Sequence, residues 1–134
     1  MGCFYVNITI RHITDRTKSA VIERALVDTG REATWVPRKV LEQLGIAAEK
    51  KDRTFVMANG QTITRTVGYA IVEVTPEYKT PEYKTFDEVV FAEDGDLPLL
   101  GARSLEGLNV RVDPEGKQLV AAGPIVAAGH LRLN

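Results

Sequence analysis

Residues 25–35 read Ala25-Leu26-Val27-Asp28-Thr29-Gly30-Arg31-Glu32-Ala33-Thr34-Trp35. An apolar run ends on one carboxylate, followed by a hydroxyl and a glycine. This layout predicts a buried strand that delivers Asp28 to the point where the backbone turns away, with a helix starting just beyond. Thr29 can hydrogen-bond locally, and Gly30 lets another backbone or a substrate approach with no Cβ in the way. The acid is presented rather than hidden.

Upstream, residues 3–11 alternate: Phe4, Val6, Ile8 and Ile10 fall on one face, Tyr5, Asn7, Thr9 and Arg11 on the other, so a strand with one buried face is expected. Residues 15–18 form a polar turn, and residues 20–27 are the returning strand that emerges at Asp28. Downstream, Val36, Val40, Leu41 and Leu44 share one helical face, with Pro37 in the first turn and Gly45 as the stop. Residues 54–58 and 61–74 read as extended arms around Asn59-Gly60, a strong hairpin signal in which both positions tolerate positive φ. Residues 75–85 hold a direct repeat, Pro-Glu-Tyr-Lys-Thr twice, whose prolines exclude a regular central strand and predict a surface loop. A strand is expected to resume over residues 86–91, followed by a solvated acidic turn at residues 93–96.

A second stretch complements the first. Leu97-Pro98-Leu99-Leu100-Gly101-Ala102-Arg103-Ser104-Leu105-Glu106-Gly107-Leu108 is an apolar pair and a glycine opening a short helix, before a closing hairpin at residues 110–120. Taken in order, the two stretches resemble the retropepsin-like aspartic proteases, the small single-domain family related to retroviral proteases, and in particular a prokaryotic-type member. The resemblance runs over most of the chain. It implies a mostly β fold, a single-lobe acid-protease barrel with one or two short helices that forms a two-fold homodimer.

Bulk properties agree with one domain over residues 1–134, since 134 residues with 44% hydrophobic content suit one core. Seventeen basic residues against eighteen acidic ones, without a basic cluster, argue against nucleic acid as a partner. The lone Cys3 cannot form an internal disulfide, and His12 and His130 stand too isolated to bind a metal. The carboxylates of residues 93–96 lack the spacing of a calcium loop. No metal or cofactor is therefore expected, and phosphoryl transfer is disfavoured by the lack of a glycine-rich phosphate loop. No apolar run reaches the roughly eighteen residues of a membrane span. Met1-Gly2-Cys3 begins like a myristoylation site but carries Val6 where Ser or Thr is required, so a cytoplasmic chain with no membrane partner is expected.

The chemistry turns on having one such acid per chain. An aspartic protease places two carboxylates around one water, and because like charges repel at close range only one of them ionises. With no second Asp-Thr-Gly or Asp-Ser-Gly, the resemblance implies that the dyad forms from Asp28 of two copies about a two-fold axis and acts on a peptide or protein substrate. It further implies that Thr29 bonds across the axis, that Gly30 and Arg31 face substrate, and that Leu99, Leu100 and Gly101 pack against the Asp28 loop. The hairpin tip Ala58, Asn59 and Gly60 takes the role of the flap. The N-terminal strand and the tail after Gly123 are candidates for intersubunit pairing. Arg31 departs from the family, where Ala or Ser is usual; a guanidinium there favours charged carboxylates or obstructs the cleft, or else points outward to pair with a surface acid, the commoner fate of an arginine in a turn. An inactive dimerisation or peptide-binding domain of the same fold is thus the alternative reading. The family's loop-holding arginine falls one place later, at Arg103, and an ion pair between Arg103 and Glu32 is expected.

Overall fold

The computed structural model describes residues 4–74 and 83–124. Its elements in chain order are β1 (Tyr5–Arg11), β2 (Ser19–Asp28), β3 (Thr34–Pro37), α1 (Arg38–Gln43), β4 (Lys50–Val56), β5 (Thr62–Val74), β6 (Tyr83–Ala92), β7 (Leu99–Gly101), α2 (Ala102–Leu108), β8 (Val110–Asp113) and β9 (Gln118–Ala121). Seven strands form one sheet in the order β1-β2-β7-β3-β6-β5-β4, and a further pairing of β1 with β5 closes six of them into a barrel. β4 remains outside the closed ring, joined only to β5 among the described strands. At the closing seam the Arg11 guanidinium donates to both oxygens of the buried Glu73, at 2.8 and 3.1 Å. A forked pair of this kind satisfies a carboxylate that burial would otherwise penalise.

Alternation carries the inner face as expected. Ile8 and Ile10 of β1 are buried with Ala25, Val72, Phe91 and Leu100, and α1 contributes Leu41 to the same core. A second cluster, Trp35, Val67, Val90, Ala92 and Leu99, packs with the partly buried Phe55 and Ile63 of the β4–β5 hairpin. β1 is spent on the barrel: it pairs with β2 along its length and with β5 from Thr9 to Arg11. Its pairing is thus intramolecular, while the tail from residue 125 onward lies outside the described residues.

Three expectations are corrected. A strand, not a helix, follows the Asp28 turn: β3 runs parallel to β6, with Val36 opposite Phe91. Val36 precedes a proline, which disfavours the helical region for it, and Thr34-Trp35-Val36 is a β-branched and aromatic run. Pro37 accordingly sits extended (ψ 134°) as the cap before α1 rather than in the first turn. The helix does end at Gly45 (φ 73°), where Gly45 N–H bonds Glu42 O and Ile46 N–H bonds Leu41 O. That is the paired C-terminal motif only a left-handed residue completes.

The second correction concerns the hairpin. Only Gly60 has positive φ, at 85°; Gly60 N–H bonds Met57 O and Met57 N–H bonds Gln61 O. The connection is a longer turn closed by a glycine bulge, not a two-residue Asn-Gly turn. Asn59 instead accepts the Gln61 N–H through its side chain. The third concerns the repeat: residues 75–82 lie outside the described residues, but Tyr83, Lys84 and Thr85 already belong to β6, paired with β5. Here α2 lies so close that a Cβ on Gly107 would come 2.2 Å from Thr85 Oγ1.

Candidate active site

Asp28 ends β2 where that strand pairs in parallel with β7, Val27 opposite Leu100 and Asp28 opposite Gly101. Leu100 is fully buried in the main core and Leu99, 6% exposed, lies in the second cluster with Trp35. The Asp28 side chain is 31% exposed. One carboxylate oxygen accepts the Gly30 N–H at 2.9 Å, and the other lies 3.7 Å from Arg31 Nε. A Cβ on Gly30 would stand 3.3 Å from the first oxygen, so glycine here provides room beside the acid. Thr29 is exposed and makes no side-chain hydrogen bond among the described residues.

The turn is tied down from behind. Ala102 N–H donates to Arg31 O at 2.7 Å and Arg103 N–H to Glu32 O at 3.1 Å, so the first amides of α2 hold the backbone just past Asp28. Close approach demands Gly101, since a Cβ there would meet Ala33 O at 2.3 Å. Sequence reading missed a buried polar relay beside it. Gly101 N–H donates to Thr34 Oγ1 (3.0 Å), Thr34 lies 2.6 Å from Ser104 Oγ, and Ser104 Oγ donates to Asp87 Oδ2 (2.8 Å). Because the carboxylate accepts from Ser104, Thr34 must donate to Ser104, and every group in the relay is satisfied. Thr34 and Ser104 are fully buried. Thr34 carries a weak sequence signal, a small polar residue between Ala33 and Trp35, and Ser104, between Arg103 and Leu105, carries none.

Beside the turn opens a cleft of about 250 Å³, lined on one side by Gly30, Arg31, Glu32 and Ala33 and on the other by Arg53, Phe55, Val56 and Met57. The buried Trp35, Val67 and Val90, with Glu88 and Arg103, complete its lining. The tip residues Ala58, Asn59 and Gly60 are exposed and stand beyond this lining. Arg31 thus faces both the acid and the cleft. The expected ion pair of Arg103 with Glu32 is present at 3.6 Å, but Glu32 is 86% exposed, and Arg103 makes its hydrogen bond to Glu88, at 2.9 Å.

Glu88 is the hub of the cleft's charges. Lys50 Nζ hydrogen-bonds its Oε2, Arg103 its Oε1, and Arg53 stands 3.8 Å away. The Lys50 hydrogen bond, with the charges of Lys50 and Arg53 and the Arg103 hydrogen bond, holds Glu88 below its ordinary 4.5 against the opposing effect of burial. The acidic turn after β6 is exposed at Asp94 and Gly95, as expected, but pinned at both ends, with Glu93 bound by Arg38 and Asp96 by Arg65. No group of three metal-ligating side chains occurs among the described residues, and none of their helices is long and apolar enough to cross a membrane.

Residues 18–103 match the sequence profile of a family described as aspartyl protease. No curated protein matches the chain.

Proposed function

Since the chain belongs to the retropepsin-like aspartyl protease family, we propose that it is a homodimeric endopeptidase whose two Asp28 carboxylates, one from each copy, activate a water for peptide hydrolysis. The observation that carries the reading is Asp28 itself: a partly exposed carboxylate on a turn fixed from behind, with a mostly apolar cleft alongside. One acid per chain cannot both polarise a carbonyl and take a proton, so a second copy supplies the other. In the dimer the ionised member takes a proton from water as that water attacks the scissile carbonyl, and the protonated member hydrogen-bonds the carbonyl oxygen. The pair titrates as a unit. Thr29, exposed and uncommitted, would bond across the axis, and the β4–β5 hairpin would fold over an extended peptide.

Arg31 favours the second reading, an inactive peptide-binding or dimerisation domain, because its guanidinium approaches Asp28 on the cleft side. One experiment separates the two. A diverse peptide library is incubated across pH at high protein concentration with the natural chain and with Asp28→Asn, and dimer content is measured by sedimentation. Cleavage that falls at least about a hundredfold in the variant, with dimers intact, supports the dyad. No cleavage by natural dimers sinks it, and recovery in Arg31→Ala would then identify Arg31 as the block.

A further inference from the structure

The flap wall of the cleft carries an arginine, Arg53, whose guanidinium makes no hydrogen bond among the described residues and whose ion pair with Glu88 is long, at 3.8 Å. β4 and β5 slip register between Lys50 and Arg53: Lys50 faces Val67 and Arg53 faces Arg65, so β4 holds one extra residue. Asp52, at φ 55°, occupies the left-handed region at that bulge. Residues three apart on a regular strand point to opposite faces; the extra residue restores parity. Lys50 and Arg53 therefore both reach Glu88, and Arg53 joins Phe55 and Met57 along the cleft.

Glu88 feels the charge of Arg53 but takes its hydrogen bonds elsewhere. Its oxygens already accept Lys50 and Arg103, and Arg53, at 3.8 Å, makes no hydrogen bond to it. The cleft lining holds three arginines, Arg31, Arg53 and Arg103, and two carboxylates, Glu32 and Glu88. The fork of Arg53 makes no hydrogen bond among the described residues, its one ion pair being the 3.8 Å approach to Glu88. Next to it Trp35 and Phe55 pack at 5.3 Å between ring centres, an apolar surface for a side-chain stem.

We infer that this cleft selects a substrate side chain ending in a carboxylate, a glutamate above all, and that Arg53 is the residue that reads it. A carboxylate fits the planar guanidinium fork with two parallel hydrogen bonds, while a neutral amide of the same shape cannot accept both. The inference rests on the cleft being the substrate groove of the proposed protease.

The test is binding, so that it does not depend on turnover. End-blocked octapeptides carrying Glu, Gln or Lys at each position in turn are titrated, by fluorescence anisotropy, into Asp28→Asn protein with and without Arg53→Gln or Arg53→Glu. At one position the Glu peptide should bind at least tenfold tighter than its Gln twin. That preference should vanish in Arg53→Gln and turn toward Lys in Arg53→Glu. Equal binding of the twins at every position, no binding of any, or a preference that survives Arg53→Gln overturns the inference. The outcomes separate from those of the protease reading. Cleavage without acid preference removes the inference alone; an Arg53-dependent preference in a chain that never cuts removes the protease alone.

Discussion

The two walls of the cleft are built on opposite rules. The Asp28 wall is held by groups distant in sequence: amides of Ala102 and Arg103 on the carbonyls of Arg31 and Glu32, and the Thr34–Ser104–Asp87 relay behind Gly101. The flap wall is local. β4 pairs only with β5 among the described strands, most of its residues are exposed, and the bonds of its turn run among Met57, Asn59, Gly60 and Gln61. In the proposed protease, an acid that meets its twin around one water would need fixed geometry, whereas a hairpin that admits a peptide would need low local stability. The proposed function thus calls for a rigid wall and a compliant one facing each other across the cleft.

A glycine on each wall tests this contrast, and the largest effect belongs to the rigid side. In Gly101→Ala the new Cβ would meet backbone atoms of Glu32 and Ala33, the nearest at 2.3 Å, and no rotamer relieves a clash with backbone. The variant should lose at least about 3 kcal/mol of stability, or fail to fold, by thermal or denaturant unfolding. A midpoint near that of the natural chain would mean the Asp28 wall is as compliant as the flap. Gly60→Ala meets nothing within 4 Å and bears only the strain of φ 85°. It should cost about 1 kcal/mol in the same assay, with the fold intact. If it costs as much as Gly101→Ala, the contrast between the walls fails.

What the sequence made legible follows the same division. Local chemistry could be read directly: the alternation of β1, the Gly45 helix stop, the Asn59-Gly60 hairpin, the acid ending β2, the apolar pair and glycine before α2. β3 was obscured because Val36 also fits a helical face with Val40 and Leu44, although the following Pro37 argues for extension. Non-local pairings leave no periodic trace. Nothing in one chain matches Thr34 to Ser104, seventy residues apart, and nothing in the sequence marks Glu88 ahead of Glu32 as the partner of Arg103. β4 was expected only from Thr54 because Lys50-Lys51-Asp52-Arg53 lacks both β formers and alternation. The bulge that breaks the alternation is the feature that turns Arg53 into the cleft.

The smallest effect lies where the walls meet. Lys50 and Arg53 belong to β4 and Arg103 to α2, so Glu88 links the compliant wall to the rigid one. Its carboxyl is held below the ordinary 4.5 by these cations. A depressed carboxylate contributes stability that is fully present above its unfolded value and lost as pH falls through the lower folded one. The link therefore holds from neutrality down to about pH 4.5 and releases below it. The cations are 42 to 48% exposed, so water screens the pairs, and the contribution should be under about 1 kcal/mol. Asp96 and Glu93 are lowered too, by Arg65 and Arg38, and add their own acid sensitivity. The quantity to measure is thus the difference in unfolding free energy between the natural chain and Glu88→Gln at pH 7, 5, 4 and 3. A gap that is constant from pH 7 to 5 and closes toward pH 3 isolates the Glu88 link. A gap unchanged down to pH 3 would show that the carboxylate charge does not couple the walls.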